Sequence, residues 1–135
     1  MKKLRHKSVL VIDDDAGMLR ALNKVLACEG AVVTRAQWAR DALVILHERE
    51  RKIDLVITDL QMPFMTGVLT GMSIVQTVHE ILPTLPIIVL TAFGGAEIKS
   101  KCLRLGAAAF LEKPVETSQL LASIEAVWPV ETEAR

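Results

Sequence analysis

Five short runs of mostly apolar residues, one of them interrupted by Asp54, alternate along the chain with segments in which apolar residues recur at the period of an α-helix. The runs lie at residues 9–12, 31–33, 53–57, 87–90 and 107–111. Short continuous apolar runs are typical of strands that are buried on both faces of a sheet. Strands that alternate with helices indicate parallel pairing through crossover helices. The sequence therefore predicts an α/β fold, a doubly wound five-stranded parallel sheet flanked by five helices.

Composition predicts one domain. A chain of 135 residues with 51% hydrophobic content can bury one core, and we expect it at 8–128, after an N-terminal tail at 1–7 and before a C-terminal tail or linker at 129–135. Basic and acidic residues balance at 16 each, which gives no basic face for nucleic acid. The first apolar run is too short for an export signal or a membrane span.

Two glycines mark predicted helix ends. Gly30 and Gly106 each follow a helical segment, where a left-handed residue often ends the helix.

Cys28 and Cys102 fall inside apolar helical patterns, where a free cysteine usually behaves as a small buried hydrophobe. These features favour a reduced, cytoplasmic protein.

Acidic residues follow two of the predicted strands. Asp13, Asp14 and Asp15 come directly after the first apolar run, and Asp59 follows the third. The carboxyl ends of parallel strands meet in one crevice, where α/β sheets bind ligands. Like charges there need a cation, and Mg²⁺ requires only one or two carboxylates plus waters and phosphate oxygens. The pattern points to phosphoryl chemistry, although an acidic run before a helix can also complement the helix dipole.

Four motifs at the ends of strands carry a family resemblance. They are 11–15 (Val-Ile-Asp-Asp-Asp), 59–63 (Asp-Leu-Gln-Met-Pro), 90–92 (Leu-Thr-Ala) and 111–114 (Leu-Glu-Lys-Pro). In order and spacing the chain resembles the receiver domain of two-component response regulators, from about Ser8 to Trp128. The resemblance implies the flavodoxin-like, CheY-like version of the predicted fold.

The resemblance also implies the roles of the site residues. Asp59 would accept a phosphoryl group as the nucleophile. Asp14, Asp59 and the backbone carbonyl of Gln61 would bind Mg²⁺ directly, and Asp13 would hold a metal-bound water. Lys113 would pair with a phosphate oxygen.

A switch is implied by the same family. Thr91 would donate its hydroxyl to the phosphoryl group, and Phe110 on the fifth strand would turn inward into the space vacated. The change would repack the surface formed by the fourth helix, fifth strand and fifth helix. The implied partners are a sensor histidine kinase or histidine phosphotransfer protein, and a downstream effector or a second copy of the chain. Direct binding to nucleic acid or membrane is not expected.

Thr66 and residues 68–71 depart from the family pattern, and Gln61 and Phe93 occupy positions that vary within the family. Thr66 stands where receiver domains usually have an aspartate, and residues 68–71 resemble a small insertion before a third helix that begins at about Met72. Gln61 and Phe93 lie where water would approach an acyl phosphate, so both are expected to tune its lifetime. The alternative for Phe93 is that its ring only packs the loop.

Three functions remain open on the sequence. The first is a phosphorylation-dependent switch that catalyses only its own phosphorylation and dephosphorylation. The second is the receiver part of a longer DNA-binding transcription regulator or hybrid histidine kinase. The third is a receiver-like binding module that is never phosphorylated. It is disfavoured because all five expected site residues are present, namely Asp13, Asp14, Asp59, Thr91 and Lys113.

Overall fold

The computed structural model describes residues 4–48, 52–60, 71–92 and 94–128. Within these segments, five strands alternate with five helices. The strands are β1 Ser8–Ile12, β2 Val32–Ala36, β3 Leu55–Thr58, β4 Ile87–Thr91 and β5 Ala109–Glu112. The helices are α1 Ala16–Cys28, α2 Ala39–His47, α3 Gly71–Ile81, α4 Ala96–Leu105 and α5 Thr117–Val127.

All strand pairs of the described sheet are parallel, in the order β2-β1-β3-β4-β5. The predicted doubly wound α/β fold is confirmed. The chain reverses its direction across the sheet between β1 and β3, and ligands bind outside the carboxyl ends of strands at such a switch point.

Two apolar layers cover the sheet because successive strand residues point to opposite faces. Leu10 and Val56 pack on one face with residues of α2, α3 and α4. Val11 and Ile57 pack on the other face with residues of α1 and α5. Every residue of β3 and β4 is buried, which explains why those strands appear in the sequence as continuous apolar runs.

The edge strands differ from their predicted bounds. The second run predicted residues 31–33, but β2 is Val32–Ala36 and includes Thr34 and Arg35. Apolarity could not indicate these two residues, because an edge strand is covered less completely than a central strand and tolerates polar side chains: Thr34 is half-buried and Arg35 is exposed. The fifth run predicted residues 107–111, whereas β5 is Ala109–Glu112 and ends on an exposed acid.

The glycine prediction is confirmed at both helix ends. Gly30 has φ 96° and Gly106 has φ 121°. After α4 the amide of Ala107 donates to the carbonyl of Cys102 at 3.1 Å, which is the bond that closes a helix with a left-handed residue. Gly106 also lacks space for a side chain, since an added Cβ would overlap the ring of His79.

The two cysteines have different environments. Cys102 is buried in the layer beneath α4, as predicted, but Cys28 is exposed at the last position of α1. The prediction that both thiols are buried is therefore wrong for Cys28, because this residue lies on the face of α1 opposite the buried Leu26.

Residues at the amino-terminal edge of the sheet contact the domain. Leu4, in the predicted tail, is fully buried, and its amide donates to the carbonyl of Glu29 at 2.8 Å. The Nζ of Lys7 lies 4.8 Å from the ring of Trp128. The described segments contain no helix long and apolar enough to cross a membrane.

Candidate functional site

Neighbouring strands bring the predicted acids together at the switch point. Asp13 directly follows β1 and Asp59 directly follows β3, and the two strands pair in register up to Ile12 and Thr58. The amide of Asp59 donates to the carbonyl of Ile12 at 3.0 Å. The backbone thus fixes the acids of the two strands beside each other.

Asp13, Asp14 and Asp59 form a carboxylate cluster. One oxygen from each lies within 4.8 Å of the others. Asp13 and Asp59 are 3% and 6% exposed, whereas Asp14 is half-buried at the rim. Ionised oxygens at this spacing repel one another unless a cation lies close to them.

Lys113 supplies a cation from the residue after β5. Its Nζ lies 3.0 Å from Oδ2 of Asp13 and 3.2 Å from Oδ2 of Asp59. Its backbone amide donates to the carbonyl of Thr91 at 2.9 Å, which anchors the lysine to the end of β4. The ammonium therefore bridges two carboxylates that come from different strands.

Burial and pairing act in opposite directions on these groups. Burial raises the pKa of the Asp13 carboxyl above its ordinary value, although hydrogen bonds from the Asp15 amide and from Lys113 lower it. Burial lowers the pKa of the Lys113 ammonium, but Asp13 and Asp59 together raise it by more, so that its pKa lies above the ordinary value. Lys113 is consequently a cation at neutral pH.

The structure resolves the alternative readings of the aspartate run. Asp15 is the N-cap of α1, and its Oδ1 accepts from the amides of Gly17 and Met18 at 2.9 and 3.4 Å. The helix-end reading holds for Asp15, whereas Asp13 and Asp14 face the cluster. Oδ1 of Asp13 also accepts from the Asp15 amide at 3.0 Å, so the cap helps to orient the cluster.

The predicted switch residues lie on adjacent strands. Thr91 is the last residue of β4 and is fully buried. Phe110 is 8% exposed and packs in the layer beneath α2, α3 and α4. Of the remaining predicted residues, Gln61, Thr66, Phe93 and 68–70 lie outside the described residues, and Gly71 begins α3.

The donor set fits a hard divalent cation. Three carboxylates offer the oxygen ligands that Mg²⁺ takes, and one ammonium does not neutralise three ionised acids. Asp14, at the rim, is the most accessible of the three.

Sequence reasoning missed one residue beside the site. Oε2 of Glu112 accepts a hydrogen bond of 2.9 Å from the amide of Gly95, the N-cap of α4. An exposed glutamate gives little signal in a sequence. The adjacent pair Gly94-Gly95, next to a predicted helix start, was the sign that another group approaches the backbone there.

Fold and site define a class of protein, and comparison with known families agrees. The family model described as response regulator receiver domain matches residues 9–125. The chain belongs to this family and is a signalling module of phosphorelay systems rather than a classical enzyme.

Individual relatives include a longer transcriptional regulator and a protein of about the length of this chain. The chain is 34% identical over 124 residues to the transcriptional regulatory protein GlrR of Escherichia coli strain K12, a match that covers 90% of this chain and 27% of that protein. It is 36% identical to a 14.6 kDa protein in the sodA1 3′ region of Leptolyngbya boryana, with 93% and 92% covered. The chain thus spans about a quarter of the length of the first relative and nearly all of the second.

Solved structures give the same fold. A response regulator receiver domain protein from Clostridium thermocellum superposes with a TM-score of 0.80 at 32% identity, covering 90% of this chain and 93% of that one. The non-phosphorylated HemR receiver domain of Leptospira biflexa superposes with a TM-score of 0.77 at 28% identity, covering 90% and 93%.

Proposed function

We propose that the domain accepts a phosphoryl group on Asp59 from a sensor histidine kinase or a histidine phosphotransfer protein. An oxygen of the Asp59 carboxylate attacks the phosphorus and forms an acyl phosphate. The bond from phosphorus to the donor's histidine nitrogen breaks, and its electron pair stays on the imidazole. The observation that carries this proposal is the Lys113 ammonium, which lies 3.2 Å from Oδ2 of Asp59 where the transferred oxygens would gather.

We assign the acceptor role to Asp59 and a supporting role to Asp13. Both oxygens of Asp13 already accept hydrogen bonds, Oδ1 from the Asp15 amide and Oδ2 from Lys113. Asp13 is thereby fitted to orient the site and to hold a metal-bound water. Asp59 directly follows the neighbouring strand β3 and is itself buried.

Mg²⁺ is the proposed cofactor, held by Asp14, Asp59 and the carbonyl of Gln61, and when bound it would neutralise charge on the transferring phosphoryl oxygens. Lys113 would hold one phosphate oxygen from the side of β5. The Thr91 hydroxyl would donate to another, and Phe110 would turn inward into the space that Thr91 vacates. In this way the domain assists its own phosphorylation and dephosphorylation.

The output surface proposed for this switch is formed by α4, β5 and α5. Movement of Thr91 and Phe110 would alter its shape and favour an effector protein or a second copy of the chain. We place this exchange in the cytoplasm, where kinases and their donors meet regulators.

A longer regulator is the second candidate context. The similarity to GlrR, and to the DNA-binding transcriptional regulator NtrC of Proteus hauseri at 30% identity, favours a transcription regulator with this receiver as one part. A hybrid histidine kinase is the alternative. Sequencing the reading frame beyond codon 135 distinguishes the two.

Mass spectrometry tests the acceptor. With Mg²⁺ and acetyl phosphate the protein should gain one phosphoryl group, and Asp59→Asn should abolish the gain. Asp54→Asn is the matched control, because that carboxylate lies before β3 at the opposite edge, where it accepts from the Ser8 amide at 2.8 Å. A full mass gain in Asp59→Asn would refute the assignment.

A further inference from the structure

Glu112 and Lys113 are adjacent at the end of β5 and carry opposite charges, and their side chains contact different parts of the domain. Lys113 reaches the carboxylate cluster. Glu112 instead reaches the loop between β4 and α4, where its Oε2 accepts from the amide of Gly95 at 2.9 Å. One short piece of backbone therefore connects the acceptor site with the start of α4.

Gly94 shows how closely this carboxylate approaches the loop. A Cβ added at Gly94 would overlap the side chain of Glu112, and the nearest atoms that it would meet all belong to Glu112. Gly94 is not among the glycines with positive φ, whereas Gly95 has φ 121°. Space for Glu112, rather than backbone conformation, thus accounts for the missing side chain at Gly94.

The loop is tied to β5 at both ends. At its start, Thr91 pairs with Glu112 in the sheet, and the carbonyl of Thr91 accepts from the Lys113 amide at 2.9 Å. At its end, Gly95 is held by the Glu112 carboxylate. Three residues separate Thr91 from Gly95, so the connection between the end of β4 and the start of α4 is short.

We propose that Glu112 is a positioning residue that holds the β4–α4 loop in its resting position and opposes the movement of Thr91 toward a phosphorylated acceptor. The inference rests on the proposed function, in which the fully buried Thr91 hydroxyl shifts to reach the phosphoryl oxygens. A contact that stabilises only the resting state lowers the apparent affinity for whatever stabilises the other state. Glu112 therefore sets how readily the domain switches.

Variants of Glu112 test this with beryllofluoride and Mg²⁺, a mimic of the phosphoryl group. Glu112→Ala should bind the mimic about fivefold more tightly than wild type, the factor that one such hydrogen bond is worth. Glu112→Gln should keep wild-type affinity, because its amide oxygen still accepts from Gly95. Glu97→Ala is the matched control, since it removes an exposed carboxylate from the first turn of α4 and leaves the Gly95 contact in place.

Gly94→Ala provides an independent route to the same state. The added methyl group should push the flexible Glu112 side chain away and reproduce the affinity of Glu112→Ala. In the double variant, with both Gly94→Ala and Glu112→Ala, the added methyl group meets no carboxylate. Its affinity for beryllofluoride should therefore equal that of Glu112→Ala alone. Additive effects would mean that the two residues act separately and would overturn the inference.

Amide hydrogen exchange measures the hydrogen bond between Gly95 and Glu112 directly, without a phosphoryl mimic. The Gly95 amide should exchange faster in Glu112→Ala than in wild type and return toward the wild-type rate in Glu112→Gln. Unchanged exchange, or unchanged beryllofluoride affinity in Glu112→Ala while wild type binds, overturns this inference and leaves the proposed function standing. Failure of wild type itself to bind beryllofluoride overturns the proposed function and the inference with it.

Discussion

Replacing Asp14 by Asn should stabilise the metal-free protein, because it removes one charge from a crowded cluster. Its neighbours Asp13 and Asp59 offer oxygens within 4.8 Å. Two unit charges 4.8 Å apart repel by about 0.9 kcal/mol even in bulk water. Asp14 is half-buried, so losing both repulsions relieves about 2 kcal/mol, and the lost attraction to Lys113 offsets about half of this. We expect Asp14→Asn to raise the free energy of unfolding by about 1 kcal/mol.

Urea denaturation with and without Mg²⁺ measures this effect. In EDTA the midpoint of Asp14→Asn should lie roughly 0.5 M above that of wild type, for a slope of about 2 kcal/mol/M. With Mg²⁺ at about 100 times its dissociation constant, wild type should gain about 2.7 kcal/mol and become the more stable protein. The order of the two midpoints should therefore reverse.

Asp15→Asn is the matched control for this prediction. It removes a neighbouring charge outside the cluster, and Asn caps a helix as well as Asp does. Its midpoint should stay close to wild type in EDTA and rise with Mg²⁺ as wild type does. If Asp14→Asn is less stable than wild type in EDTA, or if wild type ignores Mg²⁺, the electrostatic argument is incorrect.

Further predictions concern thiols, packing and lifetime. Cys28 should react rapidly with Ellman's reagent while Cys102, whose burial raises its pKa, reacts only after unfolding; two fast thiols in the native protein would contradict the burial of Cys102. Gly106→Ala should lower the free energy of unfolding by about 2 kcal/mol or more, because alanine at positive φ costs about 1–2 kcal/mol and its Cβ meets His79; an unchanged urea midpoint would refute this. Phe93→Ala should speed loss of the phosphoryl group after donor removal, and a decay as slow as wild type would assign lifetime control elsewhere.

The sequence predicted the fold because its strongest signals are about burial. The central strands are buried on both faces, so β3 and β4 stand out as apolar runs, and the glycines after α1 and α4 mark the helix ends. The edge strand β2 was misplaced because Thr34 and Arg35 are polar and carry no apolar signal. Cys28 was misassigned because its place within an apolar segment was given more weight than its angle: it lies about 200° around α1 from the buried Leu26, on the opposite face.

The sequence indicated which residues lie near one another at the candidate site, but not the contacts that these residues make. That Asp13 and Asp59 meet follows from parallel strands and their order. The bridge from Lys113 to both carboxylates spans 100 and 54 residues of sequence and was not predicted; the family resemblance implied only that Lys113 pairs with a phosphate oxygen. The division of the aspartate run depends on helix capping, because Asp15 turns back to the amides of α1. No local pattern distinguishes it from its two neighbours.

The same long separations set an order of events during synthesis. Asp13, Asp14 and Asp59 all leave the ribosome well before Lys113, which follows Asp59 by 54 residues. A nascent chain can pair β1, β2 and β3 while β5 has not yet been made. Its clustered carboxylates then lack the Lys113 ammonium that bridges Asp13 and Asp59 in the folded domain. The carboxyl edge of the sheet therefore gains this compensating charge only after β5 has been made.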